Sequence, residues 1–514
     1  MVVCLGYRVS TWMCAGDCTI EDPLPTKDSL RVVVKQRALS RQFMQRSLGC
    51  HVSCAALPMC DASWDGSQVA AVLKRLGTKT PCYDVSMMRR LRAFVRVWLR
   101  VNLTPLKTRL DYVEWLEHAP YSEARKCELR LAWQGAQGLC SSKDFVCKSF
   151  VKTETYGDYK YPRAINSRSD VFKVATGPFF HAIEQELFKL PWFVKYVPVA
   201  ERARYLTGRL RGSPKYIATD YSAFEALFSP ALMRAVELQL YSYMGSCCYG
   251  DVVALVHSAL PGTNSCRFRD VSASVEGTRM SGDMCTSLGN GFTNLMVMLF
   301  VCSEHGITCD GVVEGDDGVF AVSRVPQESE FKALGLRIKL SAGGVLGDMG
   351  FCKQYFDEED CANVVDPAEL LCKFGWTHSH MRCGGDGVMR GLLRAKAFSL
   401  RSEMPNAPVA QALWRYGLRV TEGSRPRFDG LDRWKVIRDV VVHSVGIKSR
   451  HLVERTFGIP IPVQVEIEMY LDSLHVLKPF DSQAIQSVMK HAWRDYYWRY
   501  CRAAPDRQTL VALL

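Results

Sequence analysis

Two adjacent carboxylates, Asp316 and Asp317, sit in the run Gly311-Val-Val-Glu-Gly-Asp-Asp-Gly-Val-Phe320, between two short apolar segments rich in β-formers. The pattern predicts a hairpin with its turn at Gly315-Asp316-Asp317-Gly318, where the glycines can accept positive φ. Successive strand side chains face opposite ways, so one acid can address a ligand squarely while the other sits behind or beside it. Asp-Gly also serves ordinary hairpins, and the pair needs support from elsewhere in the chain. A second acid-bearing run is Lys215-Tyr-Ile-Ala-Thr-Asp220, which reads as a strand ending in a carboxylate, with Glu225 five residues on. Hard cations are bound by acids so placed, although acids are also common at helix starts. Ser229-Pro230 then predicts an N-cap and first turn of a helix running to about residue 244. A third run, Gly277-Thr-Arg-Met-Ser-Gly-Asp-Met-Cys-Thr-Ser-Leu-Gly-Asn290, predicts a strand, a turn loosened at Ser281-Gly282 and a helix. Thr286 and Asn290 share a face of that helix, where a hydroxyl and an amide can read a polar ligand group. Gly289 and Gly291 weaken the helix and imply that something packs closely there.

Cationic stretches surround these runs. Residues 148–168 are extended in character and interleave Lys148, Lys152, Lys160, Arg163 and Arg168 with aromatics. Such a strand-loop-strand can line a channel for triphosphates or RNA; the competing reading is an edge hairpin kept soluble by lysines. A helix is predicted over 85–101, with Arg89, Arg92, Arg96 and Arg100 in one stripe and Leu91, Phe94, Val95, Trp98 and Leu99 around much of the rest. That stripe reads as a solvated face before it reads as a phosphate-tracking wall. Residues 483–502 predict a helix carrying Trp493, Tyr496, Tyr497, Trp498 and Tyr500 among Lys490, Arg494, Arg499 and Arg502, packed on its own domain rather than stacked on bases.

The chain has 514 residues, 48% of them hydrophobic, and a formal charge of +12. The charge favours a polyanionic partner, and because Gly and Pro are not in excess, no segment is of low complexity and no fixed-period repeat occurs, a folded protein rather than a disordered, solenoid or fibrous one is expected. The 21 scattered cysteines suit a reducing compartment rather than a disulfide framework. Cys14, Cys18, Cys50, His51, Cys54 and Cys60 could supply one structural Zn²⁺, but their spacing is irregular and buried thiols are the alternative. Residues 1–16 lack a basic start ahead of an apolar core, and the longest apolar run, 295–302, is far short of a bilayer span, so no intrinsic membrane span is expected.

Taken in order, the strand ending at Asp220, the Ser-Gly-x3-Thr-x3-Asn element and the Gly-Asp-Asp hairpin resemble the palm of positive-strand RNA virus RNA-dependent RNA polymerases. Residues 279–290 are especially similar to tombusvirus-like polymerases. Lys152-Thr-Glu with Pro162-Arg163-Ala-Ile resembles their basic fingertip motif, Leu334-Gly-Leu-Arg-Ile-Lys339 the fourth palm motif, and Phe351-Cys-Lys-Gln-Tyr-Phe356 the fifth. The resemblance covers about half the chain, 148–399, and the ordered set is far more specific than any one motif.

It implies an α+β right-hand polymerase: an N-terminal extension at 1–84, fingers at 85–214, a palm with a ferredoxin-like (RRM-like) antiparallel sheet at 215–400, with a fingers insertion near 245–276, and a helical thumb at 401–514. It implies Mg²⁺ as two ions, replaceable by Mn²⁺, on Asp220, Asp316 and Asp317, because phosphoryl transfer needs hard cations bracketed by carboxylates from separate strands. Lys339 is the implied general acid, with Lys332 the other candidate. Lys152, Lys160 and Arg163 would meet the triphosphate; Glu225, Ser281, Gly282, Thr286 and Asn290 would read the nucleotide. The family usually has Asp where this chain has Glu225, one methylene longer. The implied partners are viral RNA template and product, nucleoside triphosphates, and other replicase or host proteins, at membrane-associated replication complexes in the host cytoplasm. A reverse transcriptase shares the metals but lacks the Ser-Gly-x3-Thr-x3-Asn element, and a non-catalytic RNA-binding replicase subunit would not need three acid-bearing elements.

Overall fold

The computed structural model describes residues 2–3, 25–35, 45–57, 59–157, 160–428 and 440–490, as an α+β protein. The acid-bearing runs meet in a four-stranded antiparallel sheet made of β1 (Lys215–Tyr221), β2 (Cys309–Glu314), β3 (Asp317–Val322) and β4 (Ile338–Gly343), in the order β4-β1-β3-β2. Central strands β1 and β3 are almost continuously apolar because both faces of the sheet are covered. On one face Ile217, Tyr221, Val313, Phe320 and Val322 pack with Phe292, Leu295 and Met296 of a long helix. On the other, Tyr216, Ala218, Val312 and Val319 pack with Leu206, Leu210, Leu346 and Phe351. The period-2 alternation thus sends each residue to a defined core, and a one-residue slip would exchange the two faces.

The helices bearing on the site are α1 (Asp65–Arg75), α2 (Val85–Asn102) and α3 (Thr286–Glu304). Asp84 caps α2 by accepting from the backbone N–H groups of Ser86 and Met87, and Leu91, Val95, Trp98 and Leu99 are buried along it. Each such side chain contributes roughly 1.5–3 kcal/mol of burial. Arg89, Arg92, Arg96 and Arg100 are exposed, as the periodicity requires, and Arg96 Nε donates to Gln239 Oε1 at 2.7 Å. Helix α3 contains the apolar run 295–302, buried within the molecule. The helix expected from Ser229 onward is capped as read, with Ser229 accepting from Leu232 N–H, but it breaks at Val236 into Pro230–Ala235 and Glu237–Met244. The break aims Glu237 at a buried arginine described below.

A second sheet joins distant segments in the order Val2–Val3, Arg31–Val34, Val271–Glu276, Thr263–Arg267, Cys147–Val151 and Ala164–Ser167. Helix α1 packs on it through Ala71, Val72 and Leu73. Helices of the C-terminal third, including Asp386–Glu403, Ala410–Val420 and Ile461–Ser473, form another core with Leu48, Cys50 and Val52. Near the C-terminus Gln483–Val488 is helical; Trp493, Tyr496, Tyr497, Trp498, Tyr500, Arg494, Arg499 and Arg502 lie outside the described residues.

Cys14 and Cys18 also lie outside the described residues. Cys50 is fully buried, and burial pushes its thiol up to about 12. Among the described residues no helix is long and apolar enough to cross a membrane.

Candidate active site

The hairpin forms, and its turn is tighter than expected. Glu314 pairs with Asp317, leaving a two-residue loop of Gly315 and Asp316 with Gly315 at φ +61°. Glycine in the first loop position matches the twist of the flanking strands without steric cost. Asp317 therefore begins β3, while Asp316 occupies the loop itself. The loop is pinned from beneath: Asn294 Nδ2 of α3 donates to the Asp316 carbonyl at 3.0 Å, and Tyr221 OH donates to Asn294 Oδ1 at 3.3 Å.

In the β1–β3 ladder Gly318 faces Thr219, so Asp317 and Asp220 stand at the adjoining strand ends, one step past the last paired residues. On the other side of β1, Asp220 lies directly across from Lys339, on the same face of the sheet. Lys332 ends a separate helix, Glu328–Lys332, and is exposed.

Asp316 keeps solvent-accessible surface although protein crowds its carboxyl. Burial, then the Glu225 carboxylate, raises the Asp316 carboxyl, against the pull of Arg163 and Arg75. Burial, then Asp316, with Asp220 and Glu314 adding, pushes Asp317 up to about 6, while the Cys352 thiol pulls it down. Glu314 is itself held by Arg202 at 2.5 Å and by Lys195 at 3.7 Å. The Asp316 and Asp317 carboxyls are both raised, and a hard cation relieves that penalty by taking carboxylate oxygens. The donor set therefore fits a divalent metal, although among the described residues no three metal-ligating side chains close on one point.

Residues 148–168 form the expected strand-loop-strand: Cys147–Val151 pairs antiparallel with Ala164–Ser167, and Lys152 N–H donates to Arg163 O at 2.7 Å. Glu154 bridges the cations, 3.1 Å from Lys152 Nζ and 3.7 Å from Arg163 Nε. Both cations remain over 40% exposed. Lys160 is exposed near Lys353, which sits with Cys352 in a two-residue turn at φ +61° and +52°. Arg168 is instead internal: its guanidinium is 3.0 Å from Asp283 and donates to Asn264 Oδ1 at 2.6 Å.

The loop before α3 is cross-braced. Gly282 has φ +122°, and Asn166 N–H donates to Ser281 O. The Thr286 hydroxyl lies 2.9 Å from Asp283 O and 3.1 Å from Met280 O, so it shapes the loop from within. Asn290 is buried, and its Oδ1 accepts from Arg279 Nε at 3.2 Å. Arg279 makes a fully buried pair with Glu237 and lies 4.6 Å over the Phe228 ring. Gly289 leaves room for this pair, since a Cβ there would meet Arg279 Nη2 at 2.4 Å and Glu237 Oε2 at 2.5 Å. By contrast, Gly291 meets its neighbours at ordinary van der Waals distances.

Glu225 lies on the short helix Phe224–Leu227, entered through Ala223 in the left-handed region, and its carboxylate is 3.7 Å from Arg75. Sequence reading missed Arg75, Asn294, Arg202 and the Arg279–Glu237 pair. Only the glycine inside α3 hinted at the last.

Residues 140–337 match the family described as viral RNA dependent RNA polymerase. Among curated proteins, the chain is similar to the RNA-directed RNA polymerase of Striped jack nervous necrosis virus, with 24% identity over 218 residues, 41% of this chain and 21% of that protein. It is similar to that of Panicum mosaic virus (strain United States/Kansas 109S), with 26% identity over 211 residues, 37% of this chain and 21% of that protein. The RNA-directed RNA polymerase of Pothos latent virus (isolate Pigeonpea/India) shares 26% over 241 residues, 44% of this chain and 31% of that protein. The matches thus span between a fifth and a third of these relatives' own length.

Proposed function

We propose, from the match of residues 140–337 to the viral RNA dependent RNA polymerase family, that this protein copies a viral positive-strand RNA genome by template-directed joining of ribonucleoside triphosphates. The observation that carries the reading is that Asp317 stands across adjoining strand ends from Asp220 with Asp316 in the loop beside them, and that burial, then Asp316 and Asp220, push the Asp317 carboxyl up. In this reading the four-stranded sheet with α3 is a ferredoxin-like palm, residues 85–214 belong to the fingers, the helices beyond about residue 400 are the thumb, and 1–84 is an N-terminal extension.

Asp220 and Asp316, with Asp317 supporting, would hold two Mg²⁺ ions, which when bound would acidify the attacking 3′-hydroxyl and neutralise the leaving pyrophosphate. Gly315 and Asn294 hold the Asp316 loop in place, so the carboxylate needs no reorganisation during reaction. Arg163 grips triphosphate oxygens through its planar guanidinium, Lys152 and Lys160 add point charges, and Glu154 keeps the cations in register. Lys339, across from Asp220, gives its proton to the departing pyrophosphate. Glu225 and Asn290 read the ribose 2′-hydroxyl, with Ser281, Gly282 and Thr286 forming the loop that presents them. Template and product RNA, host or viral replicase proteins and a membrane-associated site in the host cytoplasm complete the setting.

The test is Asp316→Asn. It should abolish ribonucleotide incorporation on an RNA template in Mg²⁺ while leaving RNA affinity within about twofold, because distributed cations supply most of that affinity. Near-wild-type synthesis by Asp316→Asn would overturn the assignment.

A further inference from the structure

Helix α1 lies outside the stretch that matches the polymerase family, yet its last residue reaches the acid cluster. Arg75 Nη1 stands 3.7 Å from Glu225 Oε2, with the two side chains 23% and 9% exposed. Both ends have unmet bonding capacity: Arg75 Nε and Glu225 Oε2 are buried and have no hydrogen-bond partner among the described residues. Leaving such groups unmet costs free energy, so they are poised to close on each other or on a hydroxyl placed between them.

The placement of α1 is fixed from two sides. Gln68 exchanges hydrogen bonds with Asp270, 3.0 Å to the carboxylate and 3.0 Å from the backbone N–H, and the strand Arg31–Val34 pairs with Val271–Glu276. The same segment leads into the loop that holds Glu225 from its other end, where Arg279 N–H donates to Glu225 O at 2.9 Å. Backbone and carboxylate of Glu225 are therefore held by two different parts of the chain. The Glu225 carboxylate also raises the Asp316 carboxyl, and Arg75 works against that rise.

We propose that Arg75 is a positioning residue for nucleotide selection: it holds the Glu225 carboxylate oriented toward the ribose, making the helix ahead of the polymerase region a working part of the site. The inference rests on the reading that Glu225 addresses the 2′-hydroxyl. It also gives a physical reason for glutamate here, because a side chain one methylene shorter would fall away from Arg75 and leave the guanidinium unpaired.

The experiment measures the ratio of kcat/KM for ribonucleotides to that for 2′-deoxyribonucleotides, on an RNA template, with the full chain. The proteins compared are wild type, Arg75→Ala, Arg75→Lys, Glu225→Ala and the double variant Arg75→Ala/Glu225→Ala. Arg75→Ala should narrow the ratio about tenfold, within the range of coupled neighbours, and Arg75→Lys should restore most of it. The double variant should be no narrower than Glu225→Ala alone. If Arg75→Ala is insoluble, Arg75→Gln takes its place in the same comparison. An unchanged ratio in the Arg75 variants beside a narrowed one in Glu225→Ala would overturn the proposal and leave the ribose reading standing, as would additive effects in the double variant. An unchanged ratio in Glu225→Ala would overturn the ribose reading and the proposal together.

Discussion

Replacing Asp317 with asparagine should make the metal-free protein more stable at neutral pH while lowering the ribonucleotide incorporation proposed for it. In the folded protein the Asp317 carboxyl is pushed up to about 6 from an ordinary 3.8, by burial and then by Asp316. A raised carboxyl favours the protonated form, so the folded state loses stability as pH rises from about 4 through about 6, and carries the whole penalty above that. Two units correspond to an upper bound of ~3 kcal/mol at ~1.4 kcal/mol each. Because the side chain is partly exposed to water, screening cuts this to ~1–2 kcal/mol. Asparagine keeps the shape without the charge and escapes the penalty. For a chain of 514 residues the unfolding entropy is large, and the gain amounts to roughly 1–2 °C in Tm. Thermal unfolding in a chelator at steps from pH 4.5 to 8 should show the variant pulling ahead of wild type as pH rises. Added Mg²⁺ should let wild type catch up, since a ligand that binds only the folded state stabilises it. A variant less stable than wild type at pH 7.5 in chelator, or a gap that ignores pH, would refute the electrostatic reasoning.

Arg163→Lys should raise KM for all four nucleotides alike by several-fold, with ribose selection intact, because a phosphate contact carries no base or sugar information. Unchanged KM with weakened template affinity, measured by filter binding, would place that strand along the RNA path. Gly289→Ala drives a methyl group into the buried Arg279–Glu237 pair. Opening that pair should cost about 3–5 kcal/mol, seen as a fall in the denaturant midpoint or in soluble yield. An alanine variant as stable as wild type would show that the pair can shift aside.

Much of the site was legible because its signals are local. A glycine before two acids between apolar runs specifies a hairpin wherever it occurs, and Ser229-Pro230 specifies a helix start. The basic strand-loop-strand formed as read, with Glu154 between its cations. What stayed hidden depends on contacts between distant residues. Nothing around Arg75 marks it as different from the other arginines of a basic chain, since its meaning comes from Glu225, 150 positions away. Thr286 and Asn290 share a face as the helical period requires, but their neighbours Asp283 and Arg279 engage them, and periodicity is blind to such partners. The break at Val236 was missed for the same reason: local propensity favours one helix, and the buried ion pair sits where the two pieces part.

The sheet that seats α1 also sets a schedule for synthesis. Arg31–Val34 lies between Val2–Val3 and Val271–Glu276, so its inner edge has no partner until some 240 further residues have been made. At roughly 5–20 residues per second, that interval is on the order of 10–50 seconds. For that time Val32, Val33 and Val34 form an apolar β-prone run in an incomplete chain, with Arg31 before it and Lys35 after it. Charges flanking such a run oppose its pairing with other chains. The second sheet is therefore completed late, only after residues 263–276 have been made and have found the first described strands.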